Sequence, residues 1–115
     1  MSVTIYHNPR CSKSRATLAH LRDRGIEPRI VEYLEAPPDA TELQRILGML
    51  DMGPRELMRK KEAEYKAAGL DDASLDDAAL IAGMVANPKV IERPIVVAGD
   101  KAALGRPPEK VLAIL

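Results

Sequence analysis

Cys11 is the chain's one thiol, and it sits in a stretch of residues that could act on it: Tyr6-His7-Asn8-Pro9-Arg10-Cys11-Ser12-Lys13-Ser14-Arg15. A cysteine attacks as its thiolate, which is favoured by nearby cations and by the positive end of a helix. Arg10, Lys13 and Arg15 supply the cations. Free backbone N–H groups combined with positive charge also bind oxyanions. The stretch therefore reads as a nucleophilic cysteine in an anion-binding loop. The alternative for a lone cysteine is a small buried apolar residue, and for Ser12 and Ser14 it is helix capping. Cys11 and Ser14 keep the spacing of a C-x-x-C redox pair with serine in the second place. Chemistry that ends in a disulfide then needs a sulfur from outside this chain. His7, four residues before Cys11, reads either as a group that tunes the thiol or meets an anion, or simply as a polar residue at a strand end.

The elements around this loop follow from the pattern of apolar residues. Residues 3–6 form a short apolar run that reads as a buried strand, and Asn8-Pro9 is a turn signal. A helical pattern follows, with Leu18 and Leu21 on one face, ending at Gly25. This puts Cys11 where a strand hands over to a helix. Residues 29–33 read as a second strand, which completes a βαβ unit with parallel strands and a right-handed crossover. Pro37-Pro38 breaks the chain, and Leu43, Ile46, Leu47 and Leu50 then mark an amphipathic helix. Thr41 with Gln44 has capping-box spacing, and Ser74 with Asp77 suggests a further helix start. Ile95-Val96-Val97 is the next strand, Gly99-Asp100 a turn, and residues 101–104 its hairpin partner. Pro107-Pro108 opens a final helix with Val111, Leu112 and Leu115 facing inward. The expectation is an α/β fold, a single domain over residues 1–115 with a helical insertion at about 41–86.

Composition narrows the function. The chain has 115 residues, 46% hydrophobic, with no Trp or Phe, so its core is aliphatic. Its formal net charge is zero, whereas a general nucleic-acid binder shows a basic excess. One cysteine excludes an internal disulfide framework and fits a reducing compartment. There is no basic-then-apolar leader pattern and no apolar run near the ~20 residues of a membrane span. A cytoplasmic protein without a membrane partner is expected. One Cys and two His lack metal-ligand spacing, and no phosphate-binding glycine motif occurs, so neither a metal nor a bound nucleotide is expected. Arg59, Arg93 and Arg106 matter if an oxyanion binds, but taken singly each reads as a solvated surface residue, and spacing alone does not bring them together.

The sequence resembles the glutaredoxin-coupled arsenate reductase family over essentially its whole length. The resemblance rests on Tyr6-His7-Asn8-Pro9 with Cys11 and Ser14-Arg15, on Tyr33-Leu34-Glu35 with Pro37-Pro38, and on Leu57-Met58-Arg59-Lys60. It continues through Glu92-Arg93-Pro94-Ile95-Val96-Val97 and Gly105-Arg106-Pro107-Pro108-Glu109. It implies a thioredoxin-like (glutaredoxin-like) mixed four-stranded sheet, with Pro94 cis and facing the cysteine. It implies that Cys11 attacks arsenic, that Arg59, Arg93 and Arg106 hold the oxyanion, and that His7, Ser14 and Arg15 shape the site. The implied reaction reduces arsenate to arsenite, with no bound cofactor, glutathione as co-substrate and glutaredoxin as protein partner. Two other readings are a redox-responsive regulator of this fold that binds RNA polymerase and a glutathione-dependent thiol transferase. The regulator branch carries C-x-x-C, and here position 14 is serine.

Overall fold

The first apolar run becomes an inner strand of the sheet. In the computed structural model, which describes residues 2–115, β1 (Val3–His7) lies between β2 (Arg29–Glu32) and β3 (Ile95–Ala98), with β4 (Lys101–Leu104) beyond β3. β1 and β2 are parallel, with His7 opposite Glu32. β3 runs antiparallel to both β1 and β4, with Tyr6 opposite Ile95 and Ile95 opposite Leu104. This is the expected mixed four-stranded sheet. The chain divides into two compact units, one running to Ala36 and resuming at Arg93–Leu115, the other spanning Pro37–Glu92.

In the first unit, β1 and β3 are mostly apolar because side chains on both faces of these strands are buried. Val3 and Ile5 of β1 and Val96 and Ala98 of β3 pack with Leu18 and Leu21 of α1 (Ser12–Asp23) and with Val111. Burying each of the larger side chains contributes about 1.5–3 kcal/mol. The buried positions of α1 are Ser14, Thr17, Leu18 and Leu21, an i, i+3, i+4, i+7 stripe whose first half is polar. Gly25 follows α1 at a φ of 76°, a conformation strained for any side chain. Residues 108–114 form a 3₁₀ helix rather than the expected α-helix. Its three-residue period brings Val111 and Ile114 to the core in place of Leu112.

The strand directions place His7, Glu32, Ile95 and Leu104 at one end of the sheet. From that end leave the Cys11 loop, the turn after Glu32 and the Gly105-Arg106 segment, and Arg93-Pro94 enters there.

The second unit contains α2 (Ala40–Leu50), α3 (Ala63–Ala67) and α4 (Asp77–Ala86). α2 buries Leu43, Ile46 and Leu47, α4 buries Leu80, Ile81 and Met84, and the two helices pack together. Their caps differ from the expected ones. Asp39 accepts the Glu42 N–H at 2.8 Å, and Asp76 accepts the Ala79 N–H at 2.9 Å. Thr41 already lies inside α2, and the Ser74 hydroxyl donates to Asp72 at 2.7 Å instead. In each case a carboxylate on the extended residue just before the first turn takes the capping role. Among the described residues, no helix is long and apolar enough to cross a membrane.

Candidate active site

Between the end of β1 at His7 and the start of α1 at Ser12, the chain turns through Asn8-Pro9-Arg10-Cys11. Asn8 organises the turn. Its side-chain oxygen accepts the Arg10 N–H at 3.0 Å, and its carbonyl accepts the Cys11 N–H at 3.0 Å. An Asx turn of this kind mimics a backbone turn. Cys11 is the N-cap residue of α1, extended at φ −93° and ψ 124°, and its carbonyl accepts the Arg15 N–H at 3.0 Å. Its thiol makes no capping bond and is partly exposed. Cys11 is thus neither buried filler nor a cap. The first N–H groups of a helix have no intrahelical acceptor, so the thiol stands beside donors oriented toward an anion. Arg15 closes the loop by donating to the Pro9 carbonyl at 2.9 Å.

Beneath the loop lies a buried polar hub. The Ser14 hydroxyl, fully buried, accepts the Asn8 N–H at 3.0 Å and lies 2.6 Å from His7 Nδ1. Among the described residues the hydroxyl has no other acceptor for its own proton, so the network assigns that proton toward Nδ1 and the ring proton to Nε2. Burial lowers the His7 pKa from its ordinary 6.5; Glu32 opposes this, and Arg22 and Arg15 reinforce it. A neutral imidazole agrees with the assigned tautomer. His7 and Ser14 therefore fix the loop from below, and the end of β1 is tied to the first turn of α1 through one hydroxyl.

The other segments at this end of the sheet are joined to one another. The Arg93–Pro94 bond is cis, as the resemblance implies, and Arg106–Pro107 is cis as well. The register that pairs Tyr6 with Ile95 carries Pro94 next to His7. Gly105 donates its N–H to the Pro94 carbonyl at 3.0 Å, and Arg106 donates to the Arg93 carbonyl at 3.2 Å. The Nε and Nη1 atoms of Arg93 are closed off from solvent. A Cβ on Gly105 would lie 2.3 Å from Thr17 Oγ1 and 2.7 Å from Pro94 Cγ. Only glycine lets the strand, the proline and α1 approach this closely.

Cys11, His7, Ser14 and Arg15 thus share one hydrogen-bonded loop, and Arg93, Pro94 and Arg106 lie at the same end of the sheet. Arg59 belongs to the second unit, where its guanidinium meets the carboxylates of Glu62 and, at 3.7 Å, Glu92. Asn8, Thr17 and Gly105 were not singled out as site residues by the sequence. Asn8 is signalled by its place before proline, whereas Thr17 and Gly105 are recognisable only once the fold brings them together. Among the described residues, no group of His, Cys, Asp and Glu is arranged to hold a metal ion.

Comparison with known proteins places this geometry in a family. The model of the ArsC family matches residues 6–114. Uncharacterized protein YfgD of Escherichia coli (strain K12) is 59% identical over 114 residues, 98% of this chain and 96% of that protein. A protein of Neisseria meningitidis (strain Z2491) named arsenate reductase is 48% identical over 114 residues, covering 98% of this chain and 97% of that protein. The solved structure of an arsenate reductase from Vibrio cholerae superposes with a TM-score of 0.96 at 53% identity, covering 100% of this chain and 98% of that one.

Proposed function

The chain belongs to the ArsC family, with a thioredoxin-like fold, and from that premise we propose that it reduces arsenate to arsenite with Cys11 as the nucleophile. The observation that carries the proposal is the partly exposed, uncapped thiol of Cys11 at the open start of α1. That position pairs an attacking sulfur with donors for the oxyanion it attacks. In the first step the Cys11 thiolate bonds to arsenic(V), and one arsenate oxygen leaves as water. Arg93 and Arg106 suit the developing charge, because a guanidinium stays ionised and donates paired hydrogen bonds. The part given to Arg59 rests on the Leu57-Met58-Arg59 motif alone.

Reduction needs two further thiols, and this chain has none to offer. Glutathione adds to the arsenic and a second water leaves. A glutaredoxin thiolate then attacks the glutathione sulfur. The sulfur–sulfur bond forms as the arsenic–sulfur bond breaks, and the electron pair stays on arsenic, which becomes arsenic(III). Hydrolysis of the Cys11–arsenic bond releases arsenite. Ser14 supports this external route, since the position of a second thiol is taken by a buried hydroxyl bound to His7 and Asn8. The same observation speaks against a dithiol sensor that binds RNA polymerase.

The test is arsenate-dependent NADPH oxidation coupled through glutathione, glutaredoxin and glutathione reductase. Turnover that requires arsenate supports the proposal. Equal NADPH oxidation with a glutathione mixed disulfide and no dependence on arsenate would instead identify a thiol transferase.

A further inference from the structure

A cleft of about 280 Å³ opens beside the Cys11 loop on its β2 side. Its polar lining is Arg10, Glu32, Glu35 and His7, and its apolar walls are Pro9 and Leu34. The size is near the small end of ligand pockets, which run from about 300 to 1,000 Å³. Among the described residues, the side chains of Arg10, Glu32 and Glu35 make no hydrogen bond or ion pair within the chain. His7 is only 6% exposed, its Nδ1 is taken by Ser14, and among the described residues its Nε2 has no partner. Leu34, 38% exposed, is one of the few large apolar side chains left open. Uncommitted charges of both signs, a buried imidazole N–H and an apolar lip therefore surround one cleft next to the nucleophile.

We propose that this cleft binds the zwitterionic amino-acid head of a small thiol peptide, the co-substrate that adds to arsenic on Cys11. Glu32 and Glu35 take the α-ammonium, Arg10 takes the α-carboxylate, and His7 Nε2–H donates to a carbonyl or carboxylate oxygen. Pro9 and Leu34 cover the peptide's apolar atoms. Arg10 is the residue before Cys11, so a head held here keeps the peptide's thiol within reach of the adduct. The step it serves leaves arsenic at (V): the peptide thiolate bonds to arsenic, and a hydroxyl departs as water. The chemistry of that step rests on the arsenate-reductase reading, but the binding does not.

The direct test uses S-methylglutathione, which cannot react, and the Cys11→Ser protein without arsenate, followed by amide NMR shifts. Saturable shifts confined to residues 8, 10 and 32–35 are expected, with affinity lost when the peptide's amine is acetylated. The Glu32→Gln/Glu35→Gln variant should bind about five- to thirtyfold more weakly, since each exposed ion pair contributes up to about fivefold. Shifts centred on residues 93–94 and 105–106, no saturable shift, or full affinity for the acetylated peptide would each overturn the proposal. In the coupled assay the same variant should raise the KM for glutathione several-fold and the KM for arsenate less than twofold. Equal rises in both would overturn it by showing a structural role. Failure of arsenate reduction with intact S-methylglutathione binding would remove the reductase reading and leave the site standing.

Discussion

Replacing Ser14 by Ala tests the hub under the Cys11 loop. The hydroxyl is fully buried and serves two groups, the Asn8 N–H at 3.0 Å and His7 Nδ1 at 2.6 Å. Alanine fits the space but leaves both groups without a partner, and the more deeply buried imidazole is the less able of the two to turn to water. A buried polar group left unsatisfied costs about 1–3 kcal/mol. With two groups affected, one of them only part-buried, the expected loss is about 2–4 kcal/mol. At a typical urea m-value of about 2 kcal/mol/M, the unfolding midpoint should fall by about 1–2 M. Arsenate turnover should fall about ten- to hundredfold as the thiol loses its position. Replacing both partners, His7→Phe with Ser14→Ala, should cost less than the sum of the single changes, because the imidazole is then no longer stranded and only the Asn8 N–H is left without its acceptor. A Ser14→Ala protein within 0.5 kcal/mol of the wild type, or strictly additive costs in the double variant, would refute this reasoning.

Gly105→Ala should destabilise by about 1–3 kcal/mol, because the new methyl would meet Thr17 Oγ1 at 2.3 Å and Pro94 Cγ at 2.7 Å. Adding Thr17→Ala should recover part of that loss, and urea unfolding reads both effects. Arg93→Ala and Arg106→Ala should each weaken arsenate reduction by about 1.5–3 kcal/mol, with Lys restoring only part; unchanged kcat/KM would leave Cys11 without those two arginines. The pKa of His7 is lowered in the folded protein by burial, so the unfolded chain takes up this proton at a higher pH. Its stabilising contribution is complete above the unfolded value of about 6.5 and is lost as the pH falls through the window below it. Unfolding free energies of the wild type and His7→Asn at pH 7.5 and 5.5 should converge toward acid, and divergence would reverse the sign.

Much of the first unit was legible because its signals are local. The run 3–6 is buried at all but Thr4, and β3 along all of its length, so both appear in the sequence as largely apolar stretches. The turn at Asn8-Pro9 and the helix after it place Cys11 with no knowledge of distant contacts. The helix caps were misplaced at Thr41 and Ser74, since several capping residues lie within three positions and backbone geometry chooses among them. The final helix was misjudged in its period: only packing against β4 and α1 shows that residues 108–114 wind more tightly. Ser14 was visible as a capping candidate, but its bond to His7 joins a helix to a strand end and depends on the fold. Gly105 meets Thr17 and Pro94 across three separate segments, so no spacing announces it. Arg93 and Arg106 could not be joined by spacing either; the hairpin places both at one end of the sheet.

The central claim is that the Cys11 sulfur attacks arsenate. The most direct measurement is arsenic speciation after incubating the wild type and Cys11→Ser with arsenate, glutathione and glutaredoxin. The account predicts that arsenite accumulates in step with glutathione oxidation in the wild type and stays at the no-enzyme level in Cys11→Ser. Arsenite formed equally by both proteins, or by neither, would contradict it.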